Sequence, residues 1–167
     1  GSSLRMTGRA NADLAMINFT TGTTGPSKGA MMPHGALITS YLGGVHWSGM
    51  QSRDVLLCTL YLFHAGGLSI LLTGLVAHAT VVLLGEPWSS DRAIDFLDKY
   101  RPDWLYIMVP IMSRDLARNP RFTKLDCSQL KVHLAGEPVA PEVQKIWEDR
   151  GARTLIRVLG ALKEASD

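Results

Sequence analysis

Apolar residues along this chain fall into short runs separated by stretches with helical spacing, and the alternation predicts its elements. Asp13 to Phe19, with Leu14-Ala15-Met16-Ile17-Asn18-Phe19, reads as a first strand. Residues 20–29 are a loop, because three glycines, a proline and four threonines suit neither a helix nor a strand interior. Helical spacing runs from His34 to about Trp47, and a strand follows at Val55 to Thr59. Phe63-His64-Ala65-Gly66-Gly67 reads as a turn, Leu68 to Ala77 as an apolar helix and Thr80 to Leu84 as a buried strand. A helix over Ser90 to Tyr100 starts behind Ser89-Ser90-Asp91 and places Ala93, Ile94, Leu97 and Tyr100 on one face. Pro102 ends it. A strand at Trp104 to Met108, a helix after Pro110 and a polar loop over Asn119 to Gln129 come next. The series closes with a strand at Leu130 to Leu134, a helix at Pro141 to Arg150 with proline in its first turn, and a strand at Thr154 to Val158.

Strand and helix keep alternating, which predicts an α/β fold with a largely parallel sheet, since parallel neighbours need crossovers and their short apolar strands are covered on both faces. Residues 1–12 are polar and expected to be loose, with Gly1-Ser2-Ser3 set aside as a cloning remnant, and residues 13–167 are expected to form one domain. Leu68 to Gly85 is mostly apolar, but Ser69, Thr73, Gly74, His78 and Thr80 interrupt it. It reads as a buried helix, a turn and a strand rather than a membrane span, which needs about 20 apolar residues.

Composition narrows the function classes. At 167 residues and 46% hydrophobic, the chain can bury a core without staples. Seventeen Lys and Arg against 15 Asp and Glu leave a formal charge of +2, with the cations scattered singly, so neither a nucleic-acid groove nor an anionic membrane is an expected partner. Cys58 and Cys127 lie far apart without metal-ligand spacing and read as reduced thiols. A cytoplasmic protein is expected.

The candidate chemistry sits in the Thr/Gly loop. Its glycines allow close backbone approach, its amides and hydroxyls offer uncharged donors, and Lys28 adds one mobile cation. A helix following the loop is expected to aim its positive N-terminus at the bound anion. The bland alternative is a flexible surface loop. Ser27-Lys28-Gly29 reverses the order of a Walker A loop, so magnesium would need another ligand.

The run Thr20-Thr21-Gly22-Thr23-Thr24-Gly25-Pro26-Ser27-Lys28-Gly29 resembles the phosphate-binding signature of the adenylate-forming superfamily of acyl- and aryl-CoA synthetases, adenylation domains and luciferases. Ala30-Met31-Met32-Pro33-His34-Gly35 is similar to the family's continuation toward its helix. Leu62-Phe63-His64-Ala65-Gly66-Gly67-Leu68 resembles the second family motif, whose aromatic and His flank the carboxylate pocket, although Tyr61 stands where a proline is common. Ala135-Gly136-Glu137-Pro138-Val139 resembles the segment beside the adenine and acyl pocket.

The resemblance implies that a carboxylate attacks the α-phosphate of ATP, releasing pyrophosphate, and that the acyl-adenylate then passes its acyl group to CoA, with Mg2+ accompanying the nucleotide. By resemblance Thr20, Thr21, Gly22, Thr23, Thr24, Gly25 and Lys28 hold phosphate, while His64, Gly136, Glu137 and Pro138 line the acyl and adenine pocket. His64 also reads as a helix cap or core histidine. The next family signature, Tyr-Gly-x-Thr-Glu, is here Gly160-Ala161-Leu162-Lys163-Glu164, in which only Glu164 persists as a magnesium ligand, or else as part of a solvated tail.

Members of the family are longer. The chain is therefore expected to be a central part of their large domain, without a catalytic residue of its own and inactive alone, and to associate with itself or with a partner that supplies the missing cover. The alternative is a non-catalytic module of the same fold that binds an acyl ligand or another subunit. Fatty acid metabolism is the expected setting.

Overall fold

A computed structural model of the chain describes residues 8–20, 26–85, 87–107, 109–135 and 139–157. The chain divides into two compact units, residues 1–49 and 50–167.

The first unit is a hairpin and a helix. Strands β1 (Leu14–Thr20) and β2 (Lys28–Pro33) pair antiparallel, and helix α1 (His34–Ser48) follows β2 directly. Leu37, Tyr41 and Gly44 form the buried face of α1, and Gly49 ends it in the left-handed conformation at φ 70°. Strand β2 departs from the sequence reading, which placed Lys28 and Gly29 in the loop, began the helix at His34 and assigned no strand to the residues between. Gly, Ala, two Met and Pro carry little strand propensity. The strand exists because β1 pairs with it, from Leu14 opposite Pro33 to Thr20 opposite Lys28.

The second unit carries a five-stranded sheet in the order β4-β3-β5-β6-β7. Its strands are β3 (Val55–Cys58), β4 (Thr80–Leu83), β5 (Trp104–Ile107), β6 (Lys131–Ala135) and β7 (Arg153–Arg157), and every neighbouring pair is parallel. Between them run α2 (Ala65–Val76), α3 (Ser90–Tyr100), α4 (Pro110–Arg118) and α5 (Pro141–Glu148), with one 3-10 turn at Phe122–Lys124 in the stretch read as loop. The predicted α/β alternation with a parallel sheet is therefore the architecture of this unit, and the antiparallel hairpin stands outside it.

The strand alternation divides the sheet into two faces. Leu57, Leu105, Ile107, Val132 and Leu134 share a core with Ala93, Ile94 and Leu97 of α3, Leu116 of α4, and Val143 and Trp147 of α5. Helix α2 covers Leu56 and Val81 on the other face, approaching so closely that a Cβ on Gly74 would stand 2.5 Å from Val81 Cγ2. Ser89 caps α3 by accepting from the Arg92 amide, and Pro141 opens α5, as the sequence pattern predicts. Buried polar bonds fix the strands in register. The Asp54 carboxylate accepts from Trp104 Nε1 at 2.8 Å, and Thr59 donates its hydroxyl to the Tyr106 carbonyl at 2.9 Å. Among the described residues no helix is long and apolar enough to cross a membrane.

Both cysteines are free and buried. Burial raises the Cys58 thiol, and burial with the neighbouring Asp126 charge pushes Cys127 up to about 11. From about pH 9, the ordinary thiol value, to about 11 the folded chain keeps the Cys127 proton while the unfolded chain loses it, so folding stability should fall as pH rises through that window. Urea midpoints measured across this range are expected to decline, and Cys127→Ala should flatten the decline.

Candidate functional site

The residues expected to hold phosphate attach to the open end of the hairpin. Pairing of Thr20 with Lys28 brings the two ends of segment 21–27 together, so the run of glycines and threonines spans adjacent strand ends. Lys28 is exposed there. Gly29, opposite Phe19, leaves room for its neighbours' side chains, since a Cβ there would meet Ile17 Cγ2 at 2.7 Å and Phe19 Cε1 at 3.3 Å. Thr21, Gly22, Thr23, Thr24 and Gly25 lie outside the described residues, as does the Thr20 side chain.

The helix expected behind the loop is not positioned to aim at it. Strand β2 intervenes, and its six residues put roughly 17–20 Å between Lys28 and the start of α1. The first amides of α1 are already used, with His34 N–H donating to the Asp13 carbonyl and Gly35 N–H to the Asn11 carbonyl, both at 2.9 Å. The α1 N-terminus is therefore not available to an anion at the hairpin end where Lys28 stands.

In the second unit, parallel strands bring their C-terminal ends to one sheet edge, which is where open α/β sheets bind ligands. The β3 end leads to His64. The β6 end leads to Gly136, Glu137 and Pro138, which lie outside the described residues, and β7 leads to the segment containing Glu164, also outside them. Strands β3 and β6 flank β5, so their ends stand about 10 Å apart. The topology thus places the attachment points of the predicted acyl and adenine residues on one edge.

The geometry around His64 is explicit. Helix α2 begins at Ala65, so Ala65-Gly66-Gly67, read as a turn, is its first helical turn. His64 is its cap, extended at φ −92° and ψ 138°, and its Nδ1 accepts from the Gly66 amide at 3.0 Å. His64 N–H donates to the Tyr61 carbonyl at 3.1 Å. Gly67 lies against that same carbonyl, where a Cβ would come within 2.2 Å of the oxygen. Cys58 and Thr59 anchor the loop from below, Cys58 Sγ lying 3.7 Å from the Leu60 carbonyl oxygen. The rings of Tyr61 and Phe63 stack at 5.1 Å, with Phe63 78% exposed and His64 exposed beside it.

Sequence reasoning singled out His64 and offered a helix cap as one reading, and the structure makes it the cap of α2. The Gly66 amide and the Gly67 approach were signalled by adjacent glycines behind a histidine, a pattern that permits both a cap and a tight backbone contact. Two other histidines differ in setting. His133 is buried with its ring edge-on to Tyr106 at 4.4 Å, and His78 ends α2 in the left-handed region at φ 57°. Among the described residues no group of three or more His, Cys, Asp or Glu is arranged to hold a metal ion.

A family model described as AMP-binding enzyme matches residues 5–165. The chain belongs to the AMP-binding enzyme family. This adenylate-forming family was the one that the loop and the His64 motif resembled. Indoleacetate--CoA ligase of Aromatoleum aromaticum (strain DSM 19018 / LMG 30748 / EbN1) is 31% identical over 127 residues, covering 76% of this chain and 25% of the relative. 4-Coumarate--CoA ligase 3 of Arabidopsis thaliana is 35% identical over 138 residues, covering 79% and 24%. The ATP-bound crystal structure of MatB from Rhodopseudomonas palustris superposes with a TM-score of 0.77 at 27% identity, covering 90% of this chain and 30% of that one. The chain spans about a quarter of the length of these curated relatives.

Proposed function

We propose that this chain supplies the phosphate loop and part of the acyl pocket for ATP-dependent activation of a carboxylic acid, the adenylate then passing to CoA. The observation that carries this reading is the hairpin closed by Thr20 and Lys28, which holds a seven-residue Thr/Gly connection at a cationic end in a chain that belongs to an adenylate-forming family. ATP use is supported by the ATP-bound neighbour, and CoA use by the names of the two ligases. Those names also support an aryl or arylalkyl acid as the carboxylate.

The chemistry explains the residue types. A carboxylate is a poor electrophile, and joining it to AMP turns its oxygen into part of a good leaving group. As the carboxylate attacks the α-phosphorus, negative charge grows on the pyrophosphoryl oxygens. Lys28 and the amides and hydroxyls of Thr20, Thr21, Gly22, Thr23, Thr24 and Gly25 would meet that charge, and one such donor is worth about 3–4 kcal/mol in an enzyme site. We include Gly136, Glu137 and Pro138 in the adenine and acyl side of the pocket, and Glu164 as the carboxylate toward magnesium, a hard ion that pairs one or two carboxylates with nucleotide phosphates.

Lys28→Ala and Thr23→Ala test the reading. Each should abolish stabilisation of the chain by MgATP, while the ligand-free unfolding midpoint moves by no more than about 2 °C, as for a surface substitution. An unchanged nucleotide response in both variants would overturn the phosphate-loop assignment.

A further inference from the structure

We propose that the cleft between the C-terminal end of α3 and the loop before β6 is a second ligand site, remote from the functional edge, which takes a small organic carboxylate. The apolar body of the ligand rests on Leu97, Leu125 and Leu130, and its anionic group lies between Arg101 and Lys124. The cleft encloses about 370 Å3, inside the range of about 300–1,000 Å3 usual for small-molecule sites.

Its place in the fold separates it from the nucleotide chemistry. Arg101 and Pro102 lead into β5, and Leu130 leads into β6, so the cleft stands at the N-terminal ends of these parallel strands. Strands of four and five residues put roughly 13–17 Å between that edge and the one that leads to His64 and Gly136. None of its lining residues is among those assigned to phosphate, acyl group or adenine.

The walls are held before any ligand arrives. Cys127 N–H donates to the Arg150 carbonyl at 3.2 Å, Leu130 N–H to the Cys127 carbonyl at 2.9 Å, and Leu125 N–H to the Phe122 carbonyl at 3.1 Å. Ser128 N–H donates to Asp126 Oδ1 at 2.9 Å. Leu97, Cys127 and Leu130 are buried and give the cleft an apolar floor. A loop already ordered by its own bonds loses little freedom when it binds.

The charges on the rim select the class of guest. The Asp126 carboxylate is engaged by the Ser128 amide, which holds it below the usual carboxylate range. Among the described residues, the side chains of Arg101, Lys124 and Asp98 have neither a hydrogen bond nor an ion pair. Two uncommitted cations against one uncommitted acid favour an anion. The backbone adds a second observation. Arg101 ends α3 in the left-handed region, at φ 43° and ψ 59°, immediately before Pro102. Glycine is the residue such a helix end ordinarily takes, so a strained backbone is tolerated where it keeps a guanidinium at the mouth of the cleft.

Nitrogen–proton correlation spectra of the chain, titrated with phenylacetate and with phenylacetamide, test the site. Phenylacetate should shift the amides of residues 124–130 and Arg101 saturably, and phenylacetamide, with the same body and no charge, should bind them much more weakly. Arg101→Gln should weaken phenylacetate about tenfold, since a guanidinium can hold a carboxylate at two points. Lys124→Gln should weaken it several-fold, and Asp98→Asn should tighten it. Arg101→Gly should lose the ligand while its ligand-free unfolding midpoint holds or rises, a combination that a merely structural arginine would not give. Equal binding of acid and amide, or phenylacetate shifts confined to residues 59–67, would overturn the proposal. So would an affinity that ignores all three charge substitutions.

Discussion

Trp147→Ala should cost this chain about 3–5 kcal/mol, the usual penalty for truncating a buried Trp and leaving the cavity. The ring is fully buried in the core that α3, α4 and α5 share with the sheet and meets Phe122 edge-on at 5.2 Å. Its Nε1 donates to Ser113 Oγ at 3.0 Å, and Ser113 is itself fully buried on α4. Truncation therefore removes apolar contacts and strands a hydroxyl whose partner is gone, a further penalty of about 1–3 kcal/mol. Since domains are stable by only about 5–15 kcal/mol, the variant should sit at the margin of folding. Urea unfolding of Trp147→Ala, Ser113→Ala and the double variant separates the two contributions. The paired loss should be smaller than the sum of the single losses. A cost below about 2 kcal/mol for Trp147→Ala would contradict this account of the core.

Gly67→Ala is the second large effect, and it falls on the functional edge. The added Cβ would stand 2.2 Å from the Tyr61 carbonyl oxygen, 2.7 Å from its carbon and 3.1 Å from the Leu60 carbonyl oxygen. These are backbone atoms, which cannot rotate away, so either the start of α2 lifts or the loop over residues 60–64 shifts. A loss of at least 2–3 kcal/mol is expected from overpacking of this kind. The Gly66 amide should also leave Nδ1 of His64, changing the His64 ring resonances as well as the unfolding midpoint. Gly74→Ala is the informative comparison. Its Cβ would meet the tips of Val81 at 2.5 Å and Leu56 at 3.0 Å, side chains that can yield, so its cost should be smaller and His64 should be unaffected. Equal costs at both glycines, or an unaltered His64 in Gly67→Ala, would contradict the geometry.

How far the sequence discloses this molecule depends on which interactions make each element. Helix α3 is legible because its cap and its buried stripe of Ala93, Ile94 and Leu97 are local in sequence. The parallel strands are legible for a related reason, since Leu56, Leu57, Leu105 and Val132 lie in short apolar runs that must be covered on both faces. Strand β2 was not legible. Its residues are exposed except toward its end, and nothing in Lys-Gly-Ala-Met-Met-Pro announces a strand until β1 lies beside it. Missing β2 also misplaced the helix N-terminus relative to the phosphate loop, because a strand drawn as loop shortens the apparent distance between them.

At the candidate site the sequence supplies residue types and a family resemblance. Lys28 beside a Thr/Gly run and His64 before two glycines are the residues whose motifs resemble the family to which the chain belongs. The helix-cap reading of His64 was legible, and the structure adds the identity of its partner, the Gly66 amide, and the Tyr61 carbonyl that holds the His64 backbone.

Thermal unfolding of the chain in rising MgATP, with pyrophosphate as a competing probe, tests the central claim most directly. A ligand that binds only the folded state stabilises it by about 1.4 kcal/mol at ten times its Kd, a shift of roughly 3–6 °C for a domain of this size. The account predicts a midpoint that climbs with MgATP concentration and a similar climb with pyrophosphate alone. A cooperative transition whose midpoint stays fixed at every MgATP concentration would contradict it and favour a non-catalytic module built on the same fold.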